Sequence, residues 1–407
     1  SCYVLADSSF ISIAKGADGL TALNLVMPLY SIIFSIGEMI GVGSAIRYAI
    51  SKIKKDADAD DYFWNALIWC ILSSMLFVFA GIFFSADIMR VLGADEHIVA
   101  VGNNYTKIFM CFAPMFMCNY VTNAFVRNDG APGIAMSATL FSSLFNIVFD
   151  YILMFPMNLG MEGAALATAL SPIIGMGICS IHFFSKKSSV RLVVCKPSVR
   201  KLVAGCQLGV SAFVGEMSSA VITLAFNFVI LKLAGNVGVA AYGVVANIAI
   251  VTTAVFNGVA QGSQPLISSC FGRGDKDGCT QLKRMGYTTA FVLAAVMYSI
   301  LFIFAGQFVA VFNSEGSEML RLYATEGVKL YFIGIFFAGI NIVGGGAFSA
   351  TEDAFKAAVV SVARGFVLIL GAVFVMSALF GMTGVWLAYA VAEGITTFIM
   401  LVMVLRV

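Results

Sequence analysis

Charge is scarce in this chain. Only 11% of its 407 residues are Asp, Glu, Lys or Arg, whereas a water-soluble domain carries about 25% to cover its surface. A soluble fold is excluded. Histidine is nearly absent, with only His97 and His182 present, and neither stands at metal-ligand spacing from a cysteine, so a zinc site is not indicated. Both histidines sit beside charged loop residues and read as interfacial surface side chains. The nine cysteines include no CxxC pair, fall mostly within apolar stretches, and read as small packing residues. There is no HExxH and no Ser/His/Asp arrangement, which argues against an enzyme. A net charge of +2 with no basic patch among aromatics argues against nucleic acid as a partner.

What the chain does have is apolar length. Sixty percent of residues are hydrophobic and the mean hydropathy is +0.96. Runs long enough to cross a bilayer, about 20 residues each, recur from Leu20 to Leu405, five before the basic segment around Lys186 and six after it. Ahead of them Ser1 to Ala14 is apolar but too short to span, and reads as the outer part of a helix whose beginning is missing, giving twelve spans in the intact protein. Cytoplasmic loops retain Lys and Arg. Loops after even-numbered spans carry sixteen, including Arg47, Lys52, Lys186, Lys187, Lys201 and Arg284, against four after odd-numbered ones. Both termini are therefore expected in the cytoplasm, with the protein multi-pass in the plasma (inner) membrane and the lipid bilayer its surroundings.

The chain repeats itself. Gly16-Ala-Asp-Gly and the following span match Gly235-Asn-Val-Gly and its span at a shift of 219 residues, with Gly43-Ser44 on Gly262-Ser263. LGMEGAALATA from Leu159 superposes on FGMTGVWLAYA from Phe380 at a shift of 221. Six spans per copy is an even number, so both copies share one orientation and are related by an axis along the membrane normal. The expected plan is an all-α membrane protein: residues 1–185 as an N-terminal six-helix lobe, 186–204 as a cytoplasmic linker, and 205–407 as a C-terminal six-helix lobe. A cleft between two such bundles is where carriers of this architecture place substrate and coupling ion.

An ionisable residue within hydrocarbon costs a few kcal/mol, which makes each one a functional candidate. Acids outnumber bases: Asp7, Glu38, Asp150, Glu216, Glu326 and Glu393, against Lys107, Lys329 and Arg364. Such an excess favours cationic cargo. Helical rise places Asp7, Asn146, Asp150 and Thr168 in one layer about 8 to 14 Å from the outer end. Asn146 and Asp150, four apart, share a helix face. Two carboxylates, an amide and a hydroxyl are hard oxygen ligands for Na⁺, or a place for a proton. The matching positions in the second copy are Phe226, Ile369, Val373 and Tyr389, so one copy keeps packing where the other has charge. Glu326 and Lys329, three apart, are expected to neutralise each other. Arg364 needs an acid, with Glu216 or Glu393 at similar depth, and Glu216 could instead meet cationic cargo. Glu38, in Gly37-Glu-Met-Ile-Gly41, reads as a gate or a packing contact beside a small-residue motif. Glu38, Glu216, Glu326, Arg364 and Glu393 are thus secondary candidates for substrate or cation contact.

The residues resemble those of the multidrug and toxic compound extrusion (MATE) family of prokaryotic type over nearly the whole chain. The resemblance is carried by Asp7 with Gly16 and Ala22-Leu23, Pro28 and Gly41-Val-Gly, Arg127-Asn-Asp-Gly130, Asn146-Ile-Val-Phe-Asp150, and Gly163-Ala-Ala-Leu-Ala-Thr168. It implies two V-shaped six-helix lobes and a monomeric antiporter that exports organic cations or drugs in exchange for H⁺ or Na⁺ by alternating access, with no other cofactor. It also implies a coupling site at Asp7, Asn146, Asp150 and Thr168, although some members use acids of the seventh and tenth spans, where Glu216 and Glu326 lie. A lipid-linked oligosaccharide flippase of the same superfamily is the alternative; it would line its cleft with several Arg and Lys, and only Arg364 lies deep here.

Overall fold

The computed structural model describes residues 2–191, 193–312 and 317–405, and regular structure among them is entirely helical. In the first half run α1 (Cys2–Lys54), α2 (Asp61–Val91), α3 (Glu96–Cys111), α4 (Ala113–Asn128), α5 (Pro132–Met154) and α6 (Gly160–Phe183). Then follow α7 (Val199–Gly272), α8 (Lys276–Ile303), α9 (Ala305–Phe312), α10 (Glu318–Tyr331), α11 (Ile335–Ala350), α12 (Ala354–Val362) and α13 (Leu368–Leu405). Among the described residues eight helices are long and apolar enough to cross a membrane, or nine when α3 and α4, bent by 45°, count as one span. Two of the eight are double length. The 74 residues of α7 would reach about 111 Å, against roughly 30 Å of hydrocarbon.

Single glycines divide these long helices. Gly16 (φ 61°, ψ −146°), Gly235 (φ 61°, ψ −157°) and Gly381 (φ 58°, ψ −134°) break α1, α7 and α13. That region of backbone space is essentially closed to residues with a Cβ. Gly160, at the start of α6, also has a positive φ of 53°. The pairs Gly16/Gly235 and Gly160/Gly381 are those that the internal repeat aligns, so the duplication is present in backbone conformation as well as in sequence. With the double-length helices divided, eleven crossings are accommodated among the described residues, and Cys2–Lys15 is a short helical piece ahead of them.

The chain forms two compact units, Ser1–Phe213 and Val214–Val407. In the first, close packing relies on missing side chains. A Cβ on Gly37 would stand 2.9 Å from Met117 Cα and one on Gly41 3.0 Å from the Tyr120 carbonyl, so this face of α1 lies directly on α4. Farther along, a Cβ on Gly43 would fall 2.0 Å from the Gly205 carbonyl oxygen, and one on Gly209 2.0 Å from that of Met39. The first turns of α7 therefore dock on α1 backbone to backbone. The second unit is cored by aromatic rings, among them Phe226, Tyr242, Tyr331, Trp386 and Tyr389. Outward faces are apolar: Leu76 is 70% exposed, Phe83 64% and Leu224 67%. Patches of this kind are rare on soluble monomers and are the surface a bilayer covers.

Candidate functional site

In the first unit, four helices deliver polar side chains to one buried point. Asp7 comes from α1, Tyr105 from α3, Asn146 and Asp150 from α5, and Thr168 from α6. All are sealed, at 4%, 0%, 1%, 0% and 3% exposure. The i, i+4 spacing on α5 turns Asn146 and Asp150 to the same side, and Asn146 Nδ2 donates to Thr168 Oγ1 at 3.1 Å and, at 3.5 Å, to Asp150 Oδ1. Asp7 is hydrogen-bonded to the Tyr105 side chain, and the charges of Asp7 and Asp150 act on each other. Tyr105 also shares a short hydroxyl contact with Tyr30, whose ring stacks on Phe109 with centroids 3.6 Å apart.

The site is incompletely satisfied. Asp7 Oδ1, Asn146 Oδ1 and Asp150 Oδ2 are buried and have no hydrogen-bond donor among the described residues. A buried acceptor without a donor costs about 1–3 kcal/mol, more when charged. Three such oxygens in one cluster are suited to a proton or to a small hard cation. Positions aligned by the repeat carry none of this: Phe226, Ile369, Val373 and Tyr389 are buried in the apolar core of the second unit. Phe226 stacks on Tyr242 at 5.0 Å, and Tyr389 on Tyr331 at 4.3 Å.

The second unit has a buried acid of its own, with every charge answered. Glu393, on α13, takes Arg364 Nη2 at 2.7 Å and Nε at 3.1 Å on Oε1, and Asn341 Nδ2 at 2.7 Å on Oε2. Thr397 Oγ1 donates to Asn341 Oδ1 at 3.0 Å and closes the ring. Arg364 sits in a π-helical turn, Ala363–Val367, that joins α12 to α13. Of the two acids considered as its partner, Glu393 is the one engaged, while Glu216 is half-buried on α7. The expected Glu326–Lys329 pairing does not form. Glu326 instead accepts from Thr383 Oγ1 at 2.7 Å, and Lys329 Nζ lies over the Phe302 ring at 5.2 Å. Rotation of α10 sets this, because the two side chains find better partners on α13 and α8 than on their own helix. Glu38 interacts electrostatically with Arg127, beside the Gly37/Gly41 packing face.

A family model described as MatE matches residues 1–152 and 212–375, once in each half. The chain belongs to the MatE family. Among curated relatives, the multidrug export protein MepA of Staphylococcus aureus strain MRSA252 is 27% identical over 405 residues, covering 97% of this chain and 87% of its own. MepA of Staphylococcus saprophyticus is 26% identical over 400 residues with the same coverage. Among solved structures, an outward-facing multidrug-resistance MATE transporter of the MOP superfamily superposes with a TM-score of 0.92 at 20% identity, covering 100% of this chain and 91% of that one. A MOP-superfamily transporter from Pyrococcus furiosus, described as having a binding pocket of reversed polarity, gives 0.90 at 20% identity, covering 99% and 90%. At that identity the likeness is one of fold.

Two features of this MatE chain escape a reading of its sequence. Tyr105 and Tyr30 complete the acidic cluster, but a tyrosine in an apolar helix carries no signal that separates it from packing. His182, expected at the interface, is buried: its side chain is 4% exposed and Nε2 lies 2.8 Å from Asp129 Oδ2. Only an acid in the α4–α5 turn, brought against the end of α6, allows it there. His97 does remain at the surface, 2.9 Å from Asp18.

Proposed function

We propose that this chain is a secondary antiporter that exports organic cations in exchange for a proton or Na⁺. The observation that carries the reading is the sealed cluster of Asp7, Asn146, Asp150 and Thr168, with three buried oxygens that lack donors among the described residues. The described function of the MepA relatives as multidrug exporters supports it. The coupling cation is shared by the two carboxylates and the Asn146 carbonyl oxygen, with Tyr105 holding Asp7. Entry of the cation from outside neutralises the pair and favours the conformation in which the helices close around it, while cargo leaves. The ion drives the cycle only through its different affinity for the two conformations. In this reading the chain transports and catalyses no bond chemistry, works as a monomer, and lies in the plasma membrane with the basic loops and both termini in the cytoplasm.

The flippase reading gains no support, because the deep Arg364 is consumed by Glu393 and offers no free charge to a pyrophosphate. Glu393 is likewise removed from the acids available to cargo, which leaves Glu216 and Glu326 as the second-unit candidates for contact with it.

The test uses proteoliposomes loaded with ethidium and placed under a Na⁺ gradient or a pH gradient in turn. Wild-type protein should move the dye under one of them, and both Asp7→Asn and Asp150→Asn should abolish that dependence while still binding dye. Coupled transport by both variants would falsify the site assignment. Failure of the wild type to move dye under either gradient would reject the antiporter reading itself.

A further inference from the structure

Asp129, in the Arg127-Asn-Asp-Gly130 stretch that links α4 to α5, plays no part in the coupling site. Eighteen residues of α5 separate Pro132 from Asp150, about 27 Å along the helix. Yet the Asp129 side chain is buried, at 4% exposure, and both its oxygens are engaged. Oδ1 accepts from Tyr48 Oη at 3.1 Å. Oδ2 receives His182 Nε2 at 2.8 Å, the Ser189 amide at 2.8 Å and Ser188 Oγ at 3.1 Å. Tyr48 lies near the end of α1, His182 in the last turn of α6, and the two serines in the chain that leads on to α7.

That chain is fastened again farther along. The Arg191 amide donates to Asp60 Oδ1 at 3.3 Å, the Ser198 amide to Asn65 Oδ1 at 2.7 Å, and Lys201 Nζ to Asp61 Oδ2 at 2.6 Å. Val190 is buried at 5% exposure, and Cys195 Sγ rests on the Asp61 carbonyl at 3.7 Å. A loop rich in Lys, Arg and Ser would be expected to lie in solvent. Here it is bound at several points to the turn between α4 and α5 and to the start of α2, and through Asp129 to α1 and α6, all within the first unit.

We propose that Asp129 is a positioning residue for transport: it straps residues 188–191 and 193–201 across the basic end of the first unit and binds the helix ends there into one rigid body. Carriers switch between discrete arrangements of rigid elements. Neutralising Asp7 and Asp150 near one end of the unit has an effect at the other only if the helices move together. The strap supplies that stiffness where α1, α2, α4 and α6 end. This rests on the antiporter reading above, but the attachment itself is measured without transport.

Cys195 is a built-in reporter, a half-buried residue of the strap itself that faces Asp61, with its thiol pushed up first by burial and then by the Asp61 carboxylate. The experiment measures site-resolved labelling of Cys195 by a water-soluble maleimide in the purified full-length protein, together with ethidium affinity and dye efflux from proteoliposomes. In Asp129→Ala, with four hydrogen bonds lost, Cys195 should label about tenfold faster. Ethidium affinity should stay within about twofold and efflux slow by about five- to tenfold, because no cargo or ion contact is touched while the moving body is loosened. Should Asp129→Ala fail to fold, Tyr48→Phe combined with Ser188→Ala removes two of the four donors with little change in packing. It should then raise labelling about threefold and slow efflux in proportion. Unchanged Cys195 labelling in a folded variant overturns the strap, and faster labelling with wild-type efflux overturns its role in transport. A wild type that moves no dye speaks against the antiporter reading, not against the strap.

Discussion

Removing the guanidinium of Arg364 should unbalance the second unit more than any other single change to its interior. In Arg364→Met, Glu393 keeps the Asn341 amide but loses its countercharge at 3% exposure. Two unit charges about 4 Å apart attract by about 4 kcal/mol at an effective dielectric of 20. Deleting one partner of a buried pair costs about 3–5 kcal/mol, whereas replacing both with neutral groups is near neutral. For a unit of about 200 residues each kcal/mol moves the melting midpoint by about 2–4 °C, so the single variant should melt about 6–20 °C lower. Arg364→Met/Glu393→Gln, whose side-chain carbonyl still accepts from Asn341, should recover to within about 1 kcal/mol of wild type. Intrinsic tryptophan fluorescence during heating reads this out, because Trp386 is fully buried among the rings of that unit. Dye efflux by the double variant should match wild type, since the closed network leaves neither charge free for cargo. A single variant as stable as wild type, or a double variant no better than the single, would refute the reasoning.

Gly43→Ala should destabilise the first unit by about 1–3 kcal/mol, because its Cβ would fall 2.0 Å from the Gly205 carbonyl oxygen; an unchanged melting midpoint would mean that α1 and α7 are not in backbone contact. Tyr105→Phe removes the hydroxyl that holds Asp7 and meets Tyr30, and should weaken coupled dye efflux by about tenfold with little loss of fold; full efflux would leave Tyr105 as packing alone. The Asp58 carboxyl is held below its ordinary value, first by its hydrogen bond to Lys201 and then by the charge of that lysine. A depressed folded value means that its hold on the strap is fully present above the ordinary carboxylate value, about 3.9, and is lost as pH falls through the lowered one. Limited pepsin digestion between residues 193 and 201 should therefore begin only below about pH 4 in wild type and at higher pH in Asp58→Asn; cleavage independent of that residue would rule the ion pair out as an anchor.

Apolar run length and repetition are local properties, which is why the spans and the duplicated plan could be read directly from the chain. The same holds for Asn146, Asp150 and Thr168, since the 3.6-residue period fixes which side chains share a face and at what depth. Gly16 and Gly235, and Gly160 and Gly381, were legible as equivalent positions because sequence and backbone conformation repeat together. Partners across helices were another matter. Which acid Arg364 takes, whether Glu326 turns to Lys329 or to Thr383, that Tyr105 reaches Asp7, and that His182 is buried on Asp129 all depend on the rotation of each helix about its axis and on its crossing angle with neighbours tens of residues away. The sequence by itself determined that the chain is built of membrane-length helices, that they come as two copies, and which polar residues share a helix face. Only tertiary packing decided which of those polar residues are left with unanswered oxygens and which are neutralised, because that choice is made by side chains meeting from different helices.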